Sequence, residues 1–384
     1  MRILIALTYY RPHYSGLTIY AERLALALAR RGHQVTVLTS QYDRRLPQLE
    51  RIDGVQVRRL PVGLRISKGV IMPTMPFWAL RLIRQADAVH LHVPQLDAAF
   101  LALIGRLLRK PVVLTYHCDL RLPHGFIHTL ANLASNIANH ITASLAHQIV
   151  TNTQDYAAHS AFLCRYQQKV LAIPPPITVA EVSPAEVEDF RRRFGIQPDQ
   201  RVIGMAARFA AEKGVETLVA AMPRILDRFP QARVLFVGQY QNVLGEEAYA
   251  TKLTPLIRQL GEHWKFVGIL PPKDFAAFLK TAAVTVLPST NSTESYGMVQ
   301  VESMLCGTPV VASDLPGVRQ PVLMSGMGKI VPVRDSNALA EAIVAILEQP
   351  QRFRADTESI RYRHDPQTVA QQYEQLFTRL ISPD

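Results

Sequence analysis

Val170-Leu171-Ala172-Ile173-Pro174-Pro175-Pro176 decides how the chain divides: a short apolar strand runs into three consecutive prolines. Proline lacks the N–H that a helix interior or a central strand needs, so the run reads as a stiff connector. One pattern repeats on both sides of it. Upstream, strands are expected at Ile3–Leu7, Gln34–Thr39, Val55–Leu60, Ala88–His92, Val112–Tyr116, Gln148–Thr151 and Val170–Ile173. Helical spacing lies between them, as in Thr18–Arg31 with Leu24, Leu26, Ala27 and Leu28, stopped by Gly32. Downstream, a helix near Pro184–Phe194 precedes strands at Val202–Ala207, Arg233–Val237, Lys265–Val267, Val284–Leu287, Pro309–Ala312 and Lys329–Val331. Apolar strands alternating with helices predict parallel sheets covered on both faces. The expected fold is α/β with two Rossmann-like doubly wound domains, residues 1–175 and 176–365. A last helix near Pro366–Ile381 is expected to pack back on the first domain with the rest of 366–384. Ligands of such folds sit at the carboxyl ends of the strands, and the cleft between the domains is the expected place.

The totals fit this division. A chain of 384 residues is long for one core, and 48% hydrophobic residues supply ample material for two. No apolar run approaches the roughly 20 residues that span a bilayer. Met1-Arg2-Ile3-Leu4-Ile5-Ala6-Leu7 mimics the start of a secretory signal, but Tyr9, Tyr10, Arg11 and Pro12 follow in place of a small-residue cleavage site. Cys118, Cys164 and Cys306 are odd in number and widely spaced, forming neither a disulfide framework nor a zinc pattern. A reducing, cytoplasmic setting is expected. The net charge of +11 is lopsided: residues 1–175 hold 20 Lys/Arg against 8 Asp/Glu, and the remainder holds 22 against 23. A basic first half suits an anionic partner, whether membrane surface, nucleic acid or phosphorylated acceptor; a solubilising surface bias suits it equally.

Three stretches carry chemistry. Ser292-Thr293-Glu294-Ser295-Tyr296-Gly297-Met298-Val299-Gln300-Val301-Glu302-Ser303-Met304 follows a strand and opens a helix. Backbone N–H groups around Tyr296–Val299 are then the unpaired donors of a helix N-terminus, where anions bind. Glu294 precedes the helix and can face ligand hydroxyls; Glu302, eight residues on, is placed about two turns along to reach another part of the same ligand. A capping carboxylate and a solvated helix residue would give the same text. In Gly204-Met205-Ala206-Ala207-Arg208-Phe209-Ala210-Ala211-Glu212-Lys213-Gly214, Arg208 and Lys213 flank a loop at a strand's end, as suits a diphosphate or an ordinary surface pair. His117 in His117-Cys118-Asp119 ends another strand and either contacts a sugar hydroxyl or serves packing. His90 and His92 share one strand face, with no carboxylate near in sequence, and read as packing or acceptor contact.

Together these elements resemble glycosyltransferase family 4, retaining enzymes with the two-domain GT-B fold, over nearly the whole chain. Glu294–Glu302 is similar to the family's E-x7-E motif and continues into Met304-Leu305-Cys306-Gly307-Thr308-Pro309-Val310-Val311-Ala312. Arg208 with Lys213 resembles its phosphate pair, and Tyr116-His117-Cys118-Asp119 its Tyr/Phe-His-x-Asp element. Gly32-His33-Gln34-Val35-Thr36-Val37 and Phe266-Val267-Gly268 also match in order. The chain departs from many relatives at Ser15-Gly16, where they have paired glycines, and at Pro316-Gly317-Val318-Arg319-Gln320, where they have Gly-Gly-x-x-Glu.

The resemblance implies transfer of a hexose from a nucleotide-sugar donor, GDP- or UDP-linked, without metal or other cofactor. His117, Glu294, Arg208 and Lys213 would be catalytic. The donor would be held by Gly16, Arg208, Lys213, Glu294, Ser295, Tyr296, Gly297, Met298, Val299 and Glu302, with Glu302 on the ribose and Gly16 near the diphosphate. Fixed cations are worth most where charge develops on a leaving dianion. Acceptors in the family are often polyprenyl-diphosphate saccharides or glycerolipids. Arg58, Arg59, Arg65 and Lys68 precede Gly69-Val70-Ile71-Met72-Pro73-Thr74-Met75-Pro76-Phe77-Trp78, followed by Arg81 and Arg84. Basic residues beside Met, Phe and Trp suit an anionic leaflet, so residues 58–84 are the expected contact of a peripheral enzyme on the inner membrane face. A hydrophobic lip packed on the core is the competing reading. Other readings are a transferase with a soluble acceptor, an epimerase or phosphorylase of like fold, and an inactive sugar-nucleotide scaffold. Nucleic-acid binding is disfavoured because few aromatics interleave with the basic residues, and Tyr9–Gly16 lacks a G-x-G-x-x-G.

Overall fold

The computed structural model describes residues 1–66, 69–119 and 126–382. The chain forms two compact units, one built from Met1–Ile177 with the residues from Arg363 on, the other from Thr178–Tyr362.

In the first unit the strands are β1 (Arg2–Ala6), β2 (Gln34–Gln41), β3 (Leu49–Ile52), β4 (Val55–Pro61), β5 (Leu64–Ile66), β6 (Gly69–Ile71), β7 (Ala88–Val93), β8 (Val112–Tyr116), β9 (Gln148–Thr151) and β10 (Val170–Ala172). Eight of them form one sheet in the order β10-β9-β8-β7-β1-β2-β4-β3. Every pairing is parallel except β3 with β4. That antiparallel edge was not expected. Asp53 and Gly54 turn it with φ of 47° and 91°, the two left-handed residues of a tight hairpin for which Asp-Gly is suited. The chain winds one way from β1 to β2 and the other way from β1 to β7, so a crevice opens at the carboxyl ends of β1 and β7. Leu4, Ala6, Leu91, Val93 and Leu114 make the core with Ala79, Ile83 and Leu101 of the covering helices.

The last helix, Pro366–Ile381, belongs to this unit. Asp365 starts it by accepting the N–H groups of Gln367 and Thr368, and Pro366 sits where no N–H is needed. Its Tyr373 and Phe377 are buried, and the Tyr373 and Tyr20 hydroxyls meet at 2.8 Å. Tyr20 lies in the helix Gly16–Arg30, so the chain's end is fastened to its beginning.

The segment 58–84 is built differently from the surface patch expected of it. Val70, Met72 and Met75 are core residues, and Trp78 packs against that core with the Arg58 guanidinium 4.1 Å over its ring. Arg59 is fully buried, paired with Glu50 at 2.5 Å and donating to the carbonyls of Pro47 and Arg11. Only Arg65, Ile71, Phe77, Arg81 and Arg84 of the named basic and large apolar side chains face outward; Lys68 lies outside the described residues. Among the described residues no helix is long and apolar enough to cross a membrane.

The second unit has β11 (Arg201–Ala206), β12 (Ala232–Val237), β13 (Trp264–Gly268), β14 (Val284–Leu287), β15 (Val310–Ser313) and β16 (Gly328–Val331). Their order is β13-β12-β11-β14-β15-β16, all parallel. This is the Rossmann order, whose direction of winding reverses between β11 and β14. Ile203, Met205, Val234, Phe236, Val284 and Val286 fill the core against the helices Val215–Arg228 and Ser336–Glu348.

Candidate functional site

In the second unit the loops leaving β11 and β14 are the two that flank the reversal, and they are cross-linked. Thr290 donates its N–H to the Glu212 carbonyl at 2.9 Å, and its hydroxyl reaches the Ala211 carbonyl at 3.3 Å. Gly214 makes this approach feasible: its φ is +65°, and a Cβ there would stand 2.0 Å from the Pro288 carbonyl oxygen. Only glycine combines that conformation with that contact. The cross-link brings Lys213 to Glu294, Nζ to Oε2 at 2.7 Å, with less than a fifth of either side chain exposed. Burial works against charge on Lys213, but Glu294 at contact and Glu212 nearby outweigh it and hold its pKa above the ordinary lysine value. The Ser289 hydroxyl also leans on Glu294 Oε2 at 3.5 Å. Arg208, nearly half exposed, is held by Glu212 at 2.8 Å. Both cations are therefore set by carboxylates of their own unit, one pair sheltered and one open.

The helix after β14 begins at Met298, with Gly297 left-handed as its N-cap residue. Ser295 and Tyr296 are buried, and Met298 and Val299 are half-buried in the first turn. Gln300, fully buried, fixes this entry by donating to the carbonyls of Tyr296 at 2.7 Å and Val318 at 2.9 Å. The amide end of the helix thus points from a rigid base, beside the loop that carries Glu294. Glu302 is closer to that end than expected. The residues from Ser295 to Gly297 are not helical, so Glu302 lies little more than one turn into the helix, and it is buried.

In the first unit Gly16 opens the helix Gly16–Arg30, whose N-cap Ser15 accepts the N–H of Thr18 at 3.2 Å. Tyr20, one turn on, stands edge-on to His117 with ring centres 5.0 Å apart. His117 directly follows β8, and its N–H bonds to the Val93 carbonyl at the end of β7. Asp119 secures the turn after it, accepting from the Tyr116 hydroxyl at 2.9 Å and the Ser160 hydroxyl at 2.7 Å, while its own N–H reaches the Tyr156 oxygen at 2.7 Å.

His90 and His92, read as packing or acceptor contact, belong to one buried polar network with His117. His92 Nδ1 meets His117 Nε2 at 2.9 Å. His90 Nε2 meets the Thr115 hydroxyl at 2.7 Å, which meets the Tyr373 hydroxyl at 2.9 Å. Burial pushes His117 and His90 down to about 3 and lowers His92 well below the usual value, so all three rings are neutral near pH 7. Tyr20, Thr115, Gln300 and Tyr373 were not singled out in the sequence, and no motif spacing joins them. Among the described residues no group of three or more His, Cys, Asp or Glu gathers as a metal site.

The comparisons with known proteins cover both units. The chain matches the description "Glycosyl transferase 4-like domain" over residues 15–176 and "Glycosyl transferases group 1" over 186–363. It is 28% identical to D-inositol 3-phosphate glycosyltransferase 1 of Catenulispora acidiphila, covering 88% of this chain and 84% of that one. It is 27% identical to the phosphatidyl-myo-inositol mannosyltransferase of Mycolicibacterium smegmatis, covering 91% and 86%. Among solved structures, Anabaena HepE in complex with UDP-glucose superimposes with a TM-score of 0.76 at 22% identity over 98% of this chain and 99% of that one. At that identity the likeness establishes the shared fold.

Proposed function

Because the chain belongs to glycosyltransferase family 4, retaining enzymes of the GT-B fold, we propose that it moves a hexose from a GDP- or UDP-linked donor to a lipid-linked, phosphate-bearing acceptor in envelope polysaccharide or glycolipid synthesis. The sheltered Lys213–Glu294 pair at the winding reversal of the second unit carries this reading. Lys213 and Arg208 would take the charge of the departing nucleoside diphosphate together with the amide end of the helix Met298–Leu305, so no divalent metal is required. Glu294, oriented by Lys213, would hold donor hydroxyls; Glu302 would bind the ribose, and Gly16 and His117 would serve the diphosphate and the sugar. Retention is met by attack from the face that the leaving group quits. The acceptor oxygen bonds to the anomeric carbon as the C–O bond to diphosphate breaks, and the acceptor's proton passes to the leaving phosphate oxygen. An anionic acceptor at the cytoplasmic membrane face is supported by the basic first half and by the inositol phosphate and phosphatidylinositol in the relatives' names. Arg65, Arg81 and Arg84, with the exposed Leu64, Ile71, Phe77 and Leu80, are side chains of 58–84 that would meet that surface.

The test is a thermal-shift titration with UDP-, GDP- and ADP-sugars, followed by donor-turnover assays on vesicles with and without phosphoinositide. One nucleotide class should raise the Tm of the wild type and leave an Arg208→Ala/Lys213→Ala variant unmoved. Stabilisation by none of them would reject the donor site. Turnover that ignores the vesicles and responds to a soluble sugar would reject the lipid acceptor.

A further inference from the structure

We propose that His92 is the positioning residue for His117, donating its Nδ1–H to His117 Nε2 and so keeping the His117 proton on Nδ1, where the ring offers a donor to a ligand. The contact is 2.9 Å between rings inclined by 18°, and both residues are buried, His92 completely. Two neutral imidazoles share one hydrogen across such a contact, so one of two assignments holds.

If His117 were the donor, His92 would carry its own hydrogen on Nε2. That atom is buried and has no hydrogen-bond partner among the described residues. An N–H sealed away from any acceptor is a rarer and costlier defect than a bare lone pair. The assignment with His92 as donor leaves only the lone pair. His90, its neighbour on the same strand face, is assigned in the same way: with Nε2 at 2.7 Å from the Thr115 hydroxyl and Nδ1 without a partner, its proton belongs on Nε2. Ring packing prevents His92 from turning to another partner. His90 lies 4.3 Å from it, and Tyr20 stands edge-on to both His92 and His117.

The consequence for chemistry is that His117 meets its ligand as an N–H donor and not as a base. This rests on the reading that His117 serves the sugar, but the tautomer can be tested without any ligand. The full chain labelled with [15N]histidine would be examined by long-range proton–nitrogen correlation, with His117→Gln used to assign the His117 signals. The expected spectrum has His117 protonated on Nδ1 with a bare Nε2; the reverse tautomer overturns the proposal. In His92→Asn the side-chain amide nitrogen falls near the place of Nδ1 and should preserve the tautomer. In His92→Leu the His117 signals should shift toward a mixture, with kcat falling about 10- to 100-fold at little change in KM. A His117 spectrum unchanged in His92→Leu would overturn the positioning role, and if that variant does not fold, the wild-type and His92→Asn spectra still decide the tautomer. Should the Nδ1–H tautomer be found while kcat ignores both His92 variants, positioning stands and the sugar-contact reading of His117 falls.

Discussion

At the winding reversal of the second unit, Lys213 and Glu294 meet as a charged pair at 2.7 Å; beside the reversal of the first, His92 and His117 meet as a neutral pair at 2.9 Å. Both pairs are made at the carboxyl side of a parallel sheet, the histidines at strand ends and Lys213 and Glu294 on the loops that leave β11 and β14, and both are sheltered. They differ in what burial has been allowed to do. The lysine keeps its charge because a carboxylate lies at contact, whereas the histidines have no carboxylate beside them among the described residues, and burial takes their charge away. A fixed charge that has already been desolvated is a strong partner for a polyanion, because it needs no reorganisation when the ligand's charge grows. A neutral network instead holds ring orientation and proton position. On the proposed function the two units would divide charge stabilisation from positioning, although each is a mainly parallel sheet wound in both directions.

The sharpest way to break this contrast is Lys213→Ala. With the cation gone, Glu294 loses the group that aims it, and on the proposed function the departing diphosphate would lose its sheltered partner. A fall in kcat/KM of about 100- to 1000-fold is expected, the loss seen when one preorganised stabilising donor is removed. Lys213→Arg restores charge but not the compact ammonium that meets Glu294 at 2.7 Å in a sheltered place, and should recover only part. A Lys213→Ala enzyme within about threefold of wild type in steady-state assays would mean that the open Arg208 carries the phosphate alone.

A second contrast follows from proton uptake. In the unfolded chain a histidine titrates near pH 6.5, whereas in the fold His90 and His117 titrate at about 3 and His364 at about 4. Between those limits the unfolded chain binds more protons, so the stability of the first unit is full above pH 6.5 and drains away as pH falls toward 3. At pH 5 each of these histidines costs about 2 kcal/mol; Asp97, raised by burial to about 6, returns about 1 kcal/mol over the same interval. The second unit has one histidine, the half-buried His263. Each unit also has one tryptophan, Trp78 or Trp264, so Trp78→Phe and Trp264→Phe variants report the units separately by fluorescence. Taking pH from 7.5 to 5 should lower the urea midpoint reported by Trp78 and leave that reported by Trp264 nearly fixed. Equal shifts would show that the two units unfold together or that the network is not the acid-sensitive element.

The sequence announced the strands of both sheets to within a residue or two at most ends, because buried parallel strands are continuous apolar runs, and it announced the last helix through Pro366 and its apolar spacing. It also marked Lys213 and Glu294 as chemistry. What it withheld was their meeting, since the two are 81 residues apart and join only because Gly214 lets one loop touch the other at Pro288. Two further misreadings share one cause. Leu49–Ile52 carries Glu50 and Arg51 in a short edge strand with no apolar run to reveal it, although Asp53-Gly54 is a hairpin turn signal. Without that strand Glu50 has no place near Arg59, and Arg59 reads as one more surface cation of a basic patch. The histidine network was invisible for a related reason. His90 and His92 look isolated until Tyr373, from the far end of the chain, arrives beside Thr115.

That late arrival allows the mildest test of the comparison, Tyr373→Phe. The ring remains to fill the core against Phe377 and His90, while the hydroxyl that joins Tyr20 at 2.8 Å and Thr115 at 2.9 Å is lost. Two buried hydroxyls then each lose a partner, and a loss of about 1–3 kcal/mol is expected, confined to the first unit. The Trp78-reported urea midpoint should fall and the Trp264-reported midpoint should hold. Donor affinity measured by titration should change less than about threefold, because the charged pair lies in the other unit. A large loss of donor affinity with both midpoints intact would mean that the Tyr373 hydroxyl, and not His117 alone, supports donor binding, and that positioning and charge are not divided between the units in the way these two pairs suggest.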